Sequence, residues 1–263
     1  MAKRAFKEQT TRLKTERKMK MKQSKFSSAA IACLIALASF TACSDDDNCP
    51  ENTRIANALV TVKPQGEGQT PILQLDDSTT LTPTNMSTSP FGEKEVRALC
   101  NISVTDDKTD KHNWKVTVNS IDSILTKKMA QDMGEQNDEL YGSDPVEIVR
   151  DWVTVAEDGY LTLRFRTRWG DNNPHIVNLV ASNSSNPYEI TFHHKGNVNG
   201  PASDALVAFK LDKLPDTTGK TVDVTLKWMS FSGEKSVTFK IGPHTSSSST
   251  ITSKVTGSTS KVQ

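Results

Sequence analysis

The sequence predicts an all-β fold in two parts, and three observations carry that prediction. Short runs rich in Val, Ile, Leu and Thr recur from Ile55 to Ile241, each bounded by Gly, Pro, Asn or Asp. Apolar and polar residues alternate with period two inside them, most cleanly over residues 160–169 and 221–229. Helical spacing is confined to residues 127–140, through Met129, Met133 and Leu140. Gly134 and Asn137 weaken even that stretch to a short helix or an ordered loop.

Taken in order, strands are expected at residues 58–63, 72–77, 95–104 and 114–119, the last with room to run on to Leu125. Residues 78–83 extend the second strand or form a short third one. Pro64, Gly66 and Gly68 close the first run, and residues 84–92 are turn-rich. Tyr141-Gly-Ser-Asp-Pro145 reads as the boundary between the two halves. The second half offers strands at 160–169, 175–182, 188–194, 204–211, 221–229 and 234–241. Leu161, Leu163, Phe165 and Trp169 share one face, with Thr162, Arg164, Arg166 and Arg168 on the other. Val222, Val224, Leu226 and Trp228 likewise line one face. Sheets with one apolar and one wet face imply a sandwich or an open barrel. From residue 243 the chain is Ser/Thr-rich, with too little to bury, and is expected to be disordered. No internal repeat is visible.

Residues 29–47, AAIACLIALASFTACSDDD, give the address. A basic n-region with ten Lys and Arg precedes an apolar run from Ala29 to Phe40, too short for the ~20 residues that span a bilayer. Met19 and Met21 are alternative starts for a more ordinary signal peptide. Ser39-Phe40-Thr41-Ala42-Cys43 looks like a lipobox, which makes Cys43 the lipidated first mature residue. Acyl chains then hold the protein to the outer membrane without help from the fold. Ser44-Asp45-Asp46-Asp47 resembles the acidic surface-export tag of Bacteroides-type lipoproteins, which implies an outward-facing anchor. No later apolar run is long enough for a transmembrane helix.

The full chain carries 32 Lys+Arg and 31 Asp+Glu; removing residues 1–42 takes away 10 and 2, leaving 22 and 29, formally −7. That charge argues against nucleic acid as a partner and against a polybasic mode of membrane binding. Two cysteines remain, Cys49 and Cys100, in a compartment that permits a disulfide. They are a candidate pair; the alternative is two thiols, with Cys100 buried in a strand like a small hydrophobe.

The chemistry-bearing motifs are few. His193-His194 invites a metal reading, but neighbours in a strand point to opposite faces. His194 shares the apolar face of Ile190 and Phe192 and reads as a core-edge histidine. Neither H-E-x-x-H, C-x-x-C nor G-x-S-x-G occurs, so no metal, cofactor or catalytic residue is expected. Arg164, Arg166 and Arg168 form a cationic ladder. It is either a contact for an anion or an acidic partner, or a set of cross-strand pairs with Asp and Glu.

Asp158-Gly-Tyr-Leu-Thr-Leu-Arg-Phe165, Trp169-Gly170, His175-Ile-Val-Asn-Leu-Val180, Tyr188-Glu-Ile-Thr-Phe-His-His-Lys195 and Gly196-Asn-Val-Asn-Gly200 follow one another distinctively. Upstream stand Leu73-Gln-Leu-Asp-Asp-Ser-Thr-Thr-Leu-Thr-Pro-Thr84 and Arg97-Ala-Leu-Cys-Asn-Ile-Ser-Val104. Together with the lipobox they resemble the NigD-like lipoproteins of Bacteroides-type bacteria, over residues 50–242. The resemblance implies an N-terminal OB-like barrel followed by a C-terminal β-sandwich, with a suggested bacteriocin-immunity role and no catalytic residues to carry over.

The expected division is a signal peptide over residues 1–42, an acidic tether over 43–54, an OB-like barrel over 55–145, a sandwich over 146–242 and a tail over 243–263. The expected function is a cell-envelope, surface-exposed lipoprotein that binds a protein or peptide and catalyses nothing. The alternatives are a glycan-binding accessory of an outer-membrane complex and a hydrolase of unrecognised type. Clustered exposed aromatics would favour glycan, an open edge strand a protein or peptide, and a cleft with facing carboxylates an enzyme.

Overall fold

The computed structural model describes residues 53–105, 112–182, 186–217 and 219–242. Cys43, Cys49, the signal segment, the acidic tether before residue 53 and the tail from 243 lie outside the described residues. Among the described residues no helix is long and apolar enough to cross a membrane.

Five strands close the first barrel: β1 (Arg54–Lys63), β2 (Ile72–Gln74), β3 (Thr80–Pro83), β4 (Val96–Val104) and β5 (Asn113–Ser123). Their order is β1-β2-β3-β5-β4, and β4 returns to pair with β1. β3 runs parallel to β5 and the other pairs are antiparallel, a partly crossed arrangement of the OB type. The alternating residues point inward, so Val60, Val62, Leu73, Leu81, Ala98, Ile102 and Val116 fill the barrel without exposure. Irregularities in register at Ile55/Ala58 and Asn101/Ile102 let the long strands bend around it.

The join between the halves falls earlier than expected. Residues 141–145 lie inside the second domain, because β6 (Leu125–Lys128) already pairs with a sandwich strand, β12 (Ala202–Lys210). This strand was hidden in the sequence because it continues the period of β5 after one intervening residue, Ile124. The expected helical stretch therefore begins as a strand and ends as a single 3₁₀ turn, Gly134–Gln136, and a short helix α1, Asn137–Tyr141. Its apolar stripe is not one: Met129 enters the sandwich core while Met133 and Leu140 stay exposed.

The sandwich packs two sheets. One has the order β10 (Ile176–Ala181), β11 (Glu189–Lys195), β13 (Val222–Ser230), β14 (Gly233–Ile241). The other runs β6-β12-β9-β7, with β9 at Tyr160–Arg168 and β7 at Glu147–Val149; β8 (Val155–Glu157) also pairs with β9. β7 and β8, three residues each, are too short to show a period in the sequence, and they share β9 end to end. Thr154 fills the gap between them, donating its hydroxyl to the Val149 carbonyl at 2.6 Å and accepting the Arg164 amide at 3.1 Å. The β8–β9 connection is Asp158-Gly159, both at positive φ (49° and 74°), the two-residue hairpin that matches strand twist. Phe165, Phe192 and Phe209 meet at ring separations of 5.4 and 6.0 Å in the sandwich core.

A third apolar cluster joins the two domains: Leu59 and Ile124 from the barrel side, Val153, Tyr160 and Ala208 from the sandwich. The face of β9 that alternation marks as wet is thus covered by the barrel at its start, where Thr162 has no exposure.

Gly142 ends α1 at φ 85°, ψ 160°, a backbone region essentially reserved for glycine. A Cβ there would overlap the His194 carbonyl and Lys195. Gly142→Ala is expected to lower stability by about 1–3 kcal/mol from backbone strain alone, read as a fall in Tm.

Candidate binding edge of the sandwich

Among the described residues the most buried charge sits at the domain join. The Arg97 side chain has no solvent exposure. It donates from Nη1 to Thr61 Oγ1 at 2.9 Å, from Nε to Thr162 Oγ1 at 3.3 Å, and from Nη2 to the carboxylate of Glu157. β4 presents it on the outer face of the barrel wall, toward the sandwich, and β8 and β9 supply Glu157 and Thr162 from the other side. Burial raises the Glu157 carboxyl above its ordinary value, and the guanidinium only partly offsets that. Glu95 sits beside this group, accepting the Tyr160 hydroxyl at 2.5 Å and Lys210 Nζ at 3.0 Å. Lys63 pairs with Asp158 at 2.7 Å, and Asp77 accepts the Asp158 amide at 2.7 Å. The barrel and sandwich are fastened by these contacts across a buried seam.

An open cleft of about 240 Å³ borders the same seam, lined by Asp77, Glu157, Leu211, Leu214, Asp216 and Ile241. Two of its carboxylates already serve the join: Glu157 holds Arg97, and Asp77 holds the hairpin turn.

The arginine ladder resolves into internal pairs for two of its three rungs. Arg164 lies between Asp151 at 2.7 Å and Asp204 at 2.6 Å. Arg166 reaches Asp204, its direct cross-strand partner, at 2.5 Å. The Arg166 hydrogen bond, followed by that of Arg164, holds the Asp204 carboxyl below its usual range. Arg168 lies over the Phe231 ring, 5.7 Å from its centroid. Of the two readings of the ladder, Arg164 and Arg166 fit pairing with acidic side chains, through Asp151 and Asp204.

The histidines form a chain that the sequence did not reveal. His194 Nδ1 is 3.1 Å from the Asp144 carbonyl, so it carries the proton and donates. His194 Nε2 must then accept, and His175 Nδ1 donates to it over 2.8 Å. His175 Nε2 is left bare, buried and without a hydrogen-bond partner. Trp169 stacks on the His175 ring at 4.0 Å. His193 points the other way, with Nδ1 3.0 Å from the Gly142 carbonyl. Among the described residues no group of three or more His, Cys, Asp or Glu is arranged to hold a metal ion. Cys100 is a free thiol buried in the barrel core, where desolvation and then Asp122 push its pKa up to about 12. A thiol so protonated is no nucleophile.

The feature best suited to recognition is β14. One side pairs with β13 along all nine residues, and among the described residues no strand pairs with the other side. Val237, Phe239 and Ile241 turn inward and pack half-buried against the core, while Glu234, Ser236, Thr238 and Lys240 face outward. The opposite edge of this sheet is covered: Ala130 donates its amide to the Leu179 carbonyl at 2.8 Å, and Lys127 Nζ reaches the Val177 carbonyl at 2.9 Å. In the other sheet β6, β7 and β8 are three or four residues long. Exposed Phe231 marks the start of β14 and the cleft its end, at Ile241.

Two family models cover this architecture. Residues 59–124 match the NigD-like N-terminal OB domain, and residues 128–241 match the NigD-like C-terminal beta sandwich domain. This chain belongs to the NigD-like family. The boundary between the two matches falls where β5 gives way to β6 in the NigD-like chain. A crystal structure from Parabacteroides distasonis, of a protein described as toxin-related, is 35% identical; 71% of the NigD-like chain and 93% of that chain are covered, with a TM-score of 0.59. A protein of unknown function from Bacteroides vulgatus is 20% identical, with 75% and 94% covered and a TM-score of 0.59. A NigD-like immunity protein from Bacteroides caccae is 17% identical, with 75% and 100% covered and a TM-score of 0.52. The last two show the fold alone. No curated protein matches the NigD-like chain.

Proposed function

We propose that this NigD-like chain is a non-enzymatic protein, lipid-anchored in the envelope through Cys43, that captures an extended segment of a protein partner by strand addition to β14. The unpaired nine-residue edge carries this reading. An added strand gains main-chain hydrogen bonds, and its alternate side chains cover Val237, Phe239 and Ile241. β13 pairs with β14 along all nine residues and holds the edge already extended, which limits the ordering cost of binding. Phe231 is the one aromatic among the exposed large hydrophobic side chains of the described residues, which favours a peptide over a stacked glycan. Interception of a toxin-class polypeptide outside the membrane suits the description of the P. distasonis relative as toxin-related.

Photo-crosslinking in intact cells tests the edge. A crosslinker at Thr238 on β14 is expected to give a discrete adduct, and one at Ile176 on the covered edge is expected to give none. Equal adducts from both positions would overturn the reading. The anchor is tested by lipid-precursor labelling: Cys43→Ser is expected to abolish label, and full labelling of the variant would remove the anchor from the proposal.

A further inference from the structure

This inference rests on the reading of β14 as an edge that accepts a strand. The geometry points to a second copy of this chain as an occupant of that edge: β14 pairs antiparallel with itself about a twofold axis at Val237, and the pair covers the edge until another partner displaces it.

The register follows from the strand. A twofold axis normal to the sheet keeps each face on its own side. Directly opposed residues of an antiparallel pair point to the same face, so an allowed register centres on a residue rather than between two. Centring on Ser236 sets Glu234 against Thr238. Centring on Thr238 sets Ser236 against Lys240 and shortens the overlap. Val237 is the midpoint of Gly233–Ile241, so centring there pairs all nine residues. That register alone sets Glu234 of each copy against Lys240 of the other, on the outer face. Ser236 then opposes Thr238 on the same face, twice over. Inward, Val237 meets itself and the Lys235 stem lies beside Phe239, apolar against apolar below the charged head. Opposite charges and paired hydroxyl residues directly across a sheet stabilise it.

Two further features agree. Lys235 and Lys240 are the kind of edge charge that discourages indiscriminate pairing. Within the chain Lys235 reaches Glu147 at 2.8 Å and Lys240 reaches Asp223, its partner on β13, at 2.7 Å; the register places Glu234 of the other copy on the open side of Lys240, as a second carboxylate. The same register brings the Phe231–Ser232 turn of one copy beside Ile241–Gly242 of the other. There the exposed aromatic residue and the open cleft come together.

Cysteine scanning of the full chain in cells, in a Cys49→Ser background, tests the register. Val237→Cys sits on the axis, with Cα atoms about 4.5–5.5 Å apart, inside disulfide range. It is expected to form a self-linked dimer on mild oxidation. Ser236→Cys and Thr238→Cys are expected to link poorly alone and efficiently to each other when co-expressed. Glu234→Lys and Lys240→Glu are each expected to slow Val237→Cys self-linking on the order of tenfold by opposing like charges, and the double reversal to restore it. Equal self-linking at 236, 237 and 238, or no effect of the charge reversals, would overturn the register. Linking of Val237→Cys to a different protein with no self-linked species would overturn self-pairing while leaving β14 as the binding edge.

Discussion

Arg97→Met is expected to destabilise the protein by about 3–5 kcal/mol, the largest effect of any single substitution proposed for it. The cost does not come from the lost attraction alone. Arg97 has no exposure and Glu157 is nine-tenths buried, so truncating the guanidinium strands a carboxylate in a site that burial already penalises. The hydroxyls of Thr61 and Thr162 lose their donor at the same time. Glu157→Gln should cost less, because a neutral amide can still accept from Nη2. The double variant Arg97→Met with Glu157→Leu should recover most of the loss, since replacing both buried charges by apolar groups is often neutral or better. Urea unfolding at neutral pH, followed by tryptophan fluorescence, measures all three.

The pH dependence of the deficit identifies its cause. A carboxyl whose folded pKa is raised contributes stability that is fully present below its ordinary value and is lost as pH rises through the folded value. Removing Arg97 raises that folded value further, so the difference between wild type and Arg97→Met should shrink on acidification, as a proton replaces the guanidinium. A deficit independent of pH would assign the loss to packing rather than to the stranded charge.

The contrast between Arg97 and its own strand shows how much of this protein its sequence displays. The alternation in β4, β9 and β13 marks which face is apolar, because side-chain direction in a strand is local and has a period of two. It does not mark what lies against the polar face. Thr162 and Arg97 alternate correctly as polar residues, and both are buried because a second domain covers them. Their partners lie 65 and 60 residues away, beyond any local pattern. The Asp158-Gly159 hairpin was different: the dipeptide is a strong turn signal, and the three-residue β8 before it was too short to register. The arginine ladder stood out in the sequence, but its partners Asp151 and Asp204 sit on a loop and another strand. β14 was legible as a strand and not as an edge. Alternation in β13 and β14 is alike, and only sheet order tells a paired strand from an open one.

That distinction bears on where recognition is placed. Edge strands are liabilities that proteins shorten, cover or charge. In this sandwich one edge is covered by Lys127 and Ala130, and the strands at the edges of the other sheet are three or four residues long. β14 is long, half-apolar beneath, and charged only at Glu234, Lys235 and Lys240, which leaves its middle open to another strand.

Acid should unfold this protein through its buried histidine pair, with His194 contributing about 3 kcal/mol of pH-dependent stability. Burial, chiefly, lowers the His194 pKa from its ordinary value near 6.5 to about 4, and it lowers that of His175 as well. For a basic group with a depressed folded pKa, the unfolded chain takes up protons first as pH falls. The stability is therefore complete above about pH 6.5 and drains away between there and about pH 4. The tautomers explain why neither ring protonates readily in place. A proton on His194 Nε2 would face the N–H of His175 Nδ1, and burial opposes charge on the His175 ring. At His175 the charges of Asp171 and Asp144 and the Asn197 backbone pull the other way, at His194 Asp144 does, and burial outweighs them at both rings. The two sites titrate as a coupled pair, so the variant to compare is one that keeps the hydrogen bonds. His194→Gln offers a donor to the Asp144 carbonyl and an acceptor to His175 on one side chain. It should flatten the slope of stability against pH between 6.5 and 4 even if its stability at neutral pH is lower. A slope unchanged in His194→Gln would place the acid sensitivity elsewhere, and Tm measured across that range decides between the two.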